Sequence, residues 1–73
     1  MIRTMTTRDS RLLARMLNLA DRCRCTYTLL SAERCGDDTY YVSVELDGTD
    51  DALHLLDAQM NRVLATYHEE SWL

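Results

Sequence analysis

The side chains best equipped for chemistry are three cysteines, Cys23, Cys25 and Cys35, and two histidines, His54 and His68. A zinc centre would need four such ligands within a few ångströms of one point. If residues 25 to 34 are extended, Cys25 and Cys35 stand roughly 33 Å apart at about 3.3 Å per residue, too far to share an ion. Thiols packed as small hydrophobes are expected instead, and no metal is assigned. His54 falls beside the apolar stripe of a helix and is expected to be partly buried, whereas His68 is expected in solvent. Asp37-Asp38, Asp50-Asp51 and Glu69-Glu70 pair carboxylates by adjacency. That suits turns and first helical turns but does not set an acid against a base across a substrate. With no glycine-rich phosphate loop and no nucleophile in a recognised setting, the sequence points away from catalysis.

The elements that must position these groups follow from the hydrophobic period. Ile2, Thr4 and Thr6 alternate with Arg3, Met5 and Thr7 in a weak strand pattern over residues 2–7. Leu12, Leu13, Met16, Leu17 and Ala20 recur at helical spacing opposite Arg11, Arg15, Asn18 and Arg22, which predicts a helix over residues 10–22 capped by Asp9 or Ser10. Thr26, Tyr27 and Thr28 suit a strand over residues 25–33, and Cys35-Gly36-Asp37-Asp38 suits a turn. Tyr40, Val42, Val44 and Leu46 alternate with Tyr41, Ser43 and Glu45, completing a hairpin over residues 39–46. Thr49 caps a second predicted helix over residues 50–64, with Ala52, Leu53, Leu55, Leu56, Met60, Val63 and Leu64 as its apolar face. Residues 65–70 are predicted as a short edge strand to which Tyr67 contributes most of the apolar surface.

This order fits one α+β domain over residues 1–73, ferredoxin-like βαββαβ, with an antiparallel sheet and two helices on one face. The other face, where Tyr41 and Ser43 would lie, needs a cover, which predicts a homodimer or a heteromer. Length argues the same way. A chain of 73 residues buries only about 60% of its unfolded surface and is marginally stable alone. The net charge is −4 and all eight basic residues are arginine. Without a basic stripe in the sequence, nucleic-acid binding is not expected. No apolar run approaches the roughly 20 residues of a membrane span. An odd cysteine count without a leader segment predicts reduced thiols in the cytoplasm.

Two segments carry a resemblance to a known family. Leu55-Leu56-Asp57-Ala58-Gln59-Met60-Asn61-Arg62-Val63-Leu64 and Leu13-Ala14-Arg15-Met16-Leu17 resemble the two helices of ACT domains, and among these the short small subunit of acetolactate synthase (acetohydroxyacid synthase). In that family the second helix has an apolar pair followed by Q-[LM]-N-[KR]-[LV]-[LV], and the first has L-x-R-[VI]-[VL]. The resemblance implies a non-catalytic regulatory subunit that activates or stabilises the acetolactate synthase large subunit in branched-chain amino-acid biosynthesis. Thiamine diphosphate, FAD and magnesium are then expected in the large subunit, and no cofactor in this chain. The family's effector site maps onto Arg8, Asp9, Ser10, Arg11 and Leu12. Arg8, Ser10 and Arg11 replace the Asn, Pro and Gly of the family's N-x-P-G-x-L pattern. A side chain at the Gly position crowds a ligand that approaches the backbone, so valine sensing is not expected. The alternative implied is a stand-alone homodimeric ACT module that binds an amino acid or another small molecule. Partner contact is expected at Tyr27 and Tyr41, placed on the open sheet face, and at Trp72, because aromatics are favoured interface anchors.

Overall fold

A computed structural model describes residues 1–36, 38–67 and 72–73. Five elements follow one another: β1 (Ile2–Thr7), α1 (Arg11–Arg22), β2 (Thr26–Cys35), β3 (Thr39–Asp47) and α2 (Asp50–Thr66). The strands form one antiparallel sheet in the order β1-β3-β2, and the result is a small α+β architecture. Directly opposed residues on neighbouring strands share a face. Met5 opposes Val42 and Arg3 opposes Val44, so these side chains point the same way. Met5, Val42, Val44 and Leu46 are buried in one core with Leu12, Met16, Leu56 and Met60 of the helices. Thr4, Thr6, Tyr41, Ser43 and Glu45 alternate onto the uncovered face.

Both helices bury the stripe that the 3.6-residue period demands. On α1 the stripe is Leu12, Met16, Leu19 and Ala20, with Leu13 and Leu17 half-buried beside it. On α2 it is Leu56, Met60, Val63 and Leu64, and Leu55 stays 48% exposed. Thr49 accepts the Ala52 N–H at 3.1 Å, which caps α2 as its sequence predicts. At the other helix start Asp9 takes the capping role and Ser10 makes no side-chain cap.

Helix α1 stops without a glycine. Arg24 adopts φ +61°, its N–H donates to the Asp21 carbonyl, and the Cys25 N–H donates to the Ala20 carbonyl. This is a Schellman stop, with an arginine at the left-handed position that glycine usually takes. Gly36 at φ +63° turns the hairpin, in keeping with the turn cluster there. Within that hairpin, β2 pairs with β3 through a bulge. Leu29 opposes Val44, Ser31 opposes Ser43, and Leu30 has no opposite number.

The predicted last strand is not seen where the sequence placed it. Ala65 and Thr66 continue α2, because no glycine or proline ends the helix at Leu64. Pairing resumes later: Trp72 bridges Met5 antiparallel, and Thr4 and Leu73 exchange N–H to carbonyl bonds of 2.8 and 3.0 Å. The expected strand residues 68–70 lie outside the described residues, as do His68, the Glu69-Glu70 pair and Asp37.

Candidate ligand and partner surfaces

Three regions bear on function, and the first is the start of α1. Thr7 is buried at the end of β1, and its Oγ1 accepts the Asp9 N–H at 3.0 Å. That turn aims the Asp9 carboxylate back at the helix. Oδ1 accepts the Arg11 N–H at 3.0 Å, and both carboxylate oxygens pair with the Arg11 guanidinium, the shortest contact being 2.8 Å. The Arg11 guanidinium holds the Asp9 carboxyl below its ordinary range, and Asp9 raises Arg11 in return. The Leu12 and Leu13 N–H groups donate to the Asp9 and Ser10 carbonyls. The N–H groups of Arg11, Leu12 and Leu13 are therefore all engaged within the chain. An anionic ligand at this helix start would have to displace Asp9.

Beside this start runs a groove of about 380 Å³, lined chiefly by apolar surface of Leu13, Ala32, Tyr40 and Val42 with Thr7 and Ser10. It opens between α1 and the hairpin, because β2 extends past the cover of the helices. Of the residues the family resemblance assigns to an effector, Ser10 lines this groove, whereas Arg8 and Arg11 are exposed and Leu12 is fully buried in the core. A second groove lies on the outer side of α1, lined by Arg11, Arg15, Asn18 and Arg22 together with Leu19 and Tyr67. Arg11, Arg15 and Arg22 share this side of α1, as their helical spacing predicts.

The second region is the outer edge of β1. Arg3 donates to Asp57 twice, Nε to Oδ1 at 3.1 Å and Nη2 to Oδ2 at 2.9 Å. The Trp72 indole N–H donates to the same Oδ1 at 2.7 Å. The hydrogen bonds from Arg3 draw the Asp57 carboxyl below its usual value; burial opposes this, and the Trp72 bond adds to it. Trp72, expected at a partner interface, is only 8% exposed and packs in the chain's own core. Sequence reasoning did not single out this clasp. A signal was there, since Asp57 falls in the apolar stripe between Leu53, Leu56 and Met60, and a carboxylate in such a stripe requires partners.

The third region is β2. Tyr27 opposes the buried Leu46, so it lies on the helix-side face and not on the open face expected for it. Tyr41 does occupy the open face, at 38% exposure. That face is mostly Thr and Ser, whereas exposed apolar surface concentrates on β2 at Tyr27 (40%), Leu29 (44%) and Leu30 (49%).

Cys23 and Cys25 are buried, and burial pushes the Cys25 thiol up, which keeps it protonated and unreactive. Cys35 is exposed at the far end of β2. His54, expected to be partly buried, is exposed on α2. Among the described residues, no three His, Cys, Asp or Glu side chains converge on a metal-sized point, and no helix is long and apolar enough to cross a membrane. Compared with the models of protein families, with curated proteins and with solved structures, the chain matches none.

Proposed function

We propose that this chain is an ACT-like, ferredoxin-like domain that acts as a non-catalytic small subunit, binding the acetolactate synthase large subunit and holding it in its competent conformation. The observation that carries the fold half is the antiparallel bridge of Trp72 to Met5. It lies where the fourth strand of a split βαβ sheet would pair, beside β1 and after α2. The functional half rests on the resemblance of Leu55 to Leu64 and Leu13 to Leu17 to the family's helices. Activation by association needs no chemistry from this chain, because a partner that binds one conformation better shifts a pre-existing equilibrium toward it. Thiamine diphosphate, FAD and magnesium belong to the large subunit in this reading. The Asp9–Arg11 pairing at the helix start argues for protein association over valine recognition. Co-expression with the acetolactate synthase large subunit of the same organism tests the reading. Co-purification and a clear rise in acetolactate formation, indifferent to valine, are expected; no association and no change in rate would overturn it.

The apolar groove of Leu13, Ala32, Tyr40 and Val42 favours a second reading, a homodimeric ACT module that takes a small molecule there. Thermal melts with a panel of amino acids separate the two, since a ligand of the native state raises the melting temperature. A reproducible rise with one amino acid selects the second reading.

A further inference from the structure

Arg3, Arg11 and Arg34 each pair with a carboxylate within 2.9 Å, whereas Arg15 and Arg22 have no carboxylate partner among the described residues. Arg11, Arg15, Asn18 and Arg22 follow the helical period along α1 and form one stripe on its outer side. Arg15 and Arg22 are two turns apart, which at about 1.5 Å per residue separates them by roughly 10 Å along the axis. The stripe borders two adjoining grooves between α1 and the C-terminal turn of α2. One is lined by Arg15, Val63, Thr66 and Tyr67, and the other by the stripe together with Leu19 and Tyr67. Their floor is apolar, since Leu19 and Val63 are buried and Tyr67 is half-buried. No Asp or Glu among the described residues lines either groove, although the whole chain carries a net charge of −4.

We propose that these adjoining grooves form a docking site for an acidic segment of a partner protein. Two of its carboxylates meet Arg15 and Arg22, and an apolar side chain between them packs on Leu19, Val63 and Tyr67. Charge complementarity selects the occupant's sign. Guanidinium groups with no competing acid beside them favour carboxylates, which arginine grips through two parallel hydrogen bonds. Shape selects a length of chain. Two cations roughly 10 Å apart along the helix exceed the reach of a single carboxylate or phosphate, and the grooves lie open along the flank of α1 where a small ligand would be mostly enclosed. The apolar floor and the charge balance favour a peptide over a nucleic acid, whose phosphates call for a longer run of cations and whose approach a net charge of −4 opposes. Arg11 borders the site but is already held by Asp9. The site is defined by its own chemistry and holds whichever enzyme, if any, the chain serves.

Fluorescence anisotropy of the full chain with a fluorescein-labelled peptide of repeated Glu-Leu-Ala-Glu units, at low ionic strength, tests the site. Saturable binding that weakens with added salt is expected, and the same peptide with Gln for Glu should not bind. Arg15→Gln and Arg22→Gln should each weaken binding about fivefold, the upper end for an exposed ion pair. Arg34→Gln removes the same charge from the hairpin, outside these grooves, and should leave binding unchanged. All three positions are exposed, so circular dichroism should be unaltered. Amide shifts on adding the peptide locate the site without any variant and should cluster at residues 11–22 and 63–67. Glu69 and Glu70 follow Tyr67 closely in the sequence, and the double variant Glu69→Gln with Glu70→Gln should leave the peptide affinity unchanged. The proposal is overturned by an absence of saturable binding, by an equal loss in Arg34→Gln, or by amide shifts elsewhere. Marked tightening in the Glu69 and Glu70 variant, which would make the chain's own acids the occupant, or tighter binding of single-stranded oligothymidylate than of the peptide would overturn it as well.

Discussion

Along β1 the outer margin of the sheet is sealed by the chain itself: Leu73 pairs with Thr4, Trp72 covers Met5, and Asp57 grips Trp72 and Arg3 together. Along β2 no strand pairs with the margin among the described residues, and β2 carries more exposed apolar side chains than β1 or β3. Both margins belong to one antiparallel sheet and meet the same solvent. They differ because one has a carboxylate placed to organise a covering segment, whereas β2 from Thr26 to Ala32 has only Thr, Ser and apolar or aromatic side chains, with Glu33 and Arg34 beyond. A small domain can close an edge at the cost of a few dedicated residues.

The contrast can be broken most severely at Trp72. Trp72→Ala should cost about 3–5 kcal/mol, as for other buried tryptophans, which for a domain this small approaches its whole stability. Urea titration followed by circular dichroism would measure it, and amide exchange at Thr4 should accelerate in step. Asp57→Ala removes the clasp but keeps the ring, so a loss of about 1–3 kcal/mol is expected, with a red-shifted Trp72 emission as the tail loosens. Acid should do the same reversibly. The Asp57 carboxyl titrates lower in the folded chain than in the unfolded one, where its value is about 3.9. Its contribution is therefore complete above that pH and is lost as pH falls through the folded value. Trp72 emission followed from pH 6 downward, with Asp57→Ala as the unresponsive reference, checks this.

Smaller effects sharpen the comparison on the β2 side. Arg24 sits in the left-handed region at the entry to β2, and Arg24→Gly should stabilise the fold by about 0.5–1 kcal/mol, read as a raised melting temperature. Leu29→Lys, measured under dilute conditions, should change stability by less than about 0.5 kcal/mol. A near-neutral change at this apolar residue, set against the large loss at Trp72, would separate a surface held for a partner from one the fold needs.

The two helices and β3 were legible because each repeats its period over three or more apolar residues, as in Leu12, Met16 and Ala20 or Val42, Val44 and Leu46. The Thr49 cap and the Gly36 turn were legible for the same local reason. The facing of β2 was not. Tyr27 and Leu29 alternate with Thr26 and Thr28, so their common face could be read, but which face it was could not. Counted back from the turn, the bulge at Leu30 inverts the parity and swings Tyr27 to the helix side. At the start of α1 the sequence alone shows Arg11 where the family it resembles has glycine. What no local pattern reveals is that Asp9 turns back to bind Arg11, or that Trp72 finds Asp57 across the fold. The two partners of the second pair lie on different elements, and only the packed structure brings them together.

The pairing of Thr4 with Leu73 also has a bearing on biosynthesis. On a ribosome β1 emerges well before its inner neighbour β3, and β3 emerges before Trp72 and Leu73, which pair along the outer margin of β1. At about 5–20 residues per second, the interval between completing β3 and reaching Leu73 is roughly one to five seconds. During that interval Met5 and the margin of β1 stand as uncovered as β2 does. The nascent sheet therefore has two unpaired flanks for that interval. Emergence of Trp72 and Leu73 closes the flank along β1.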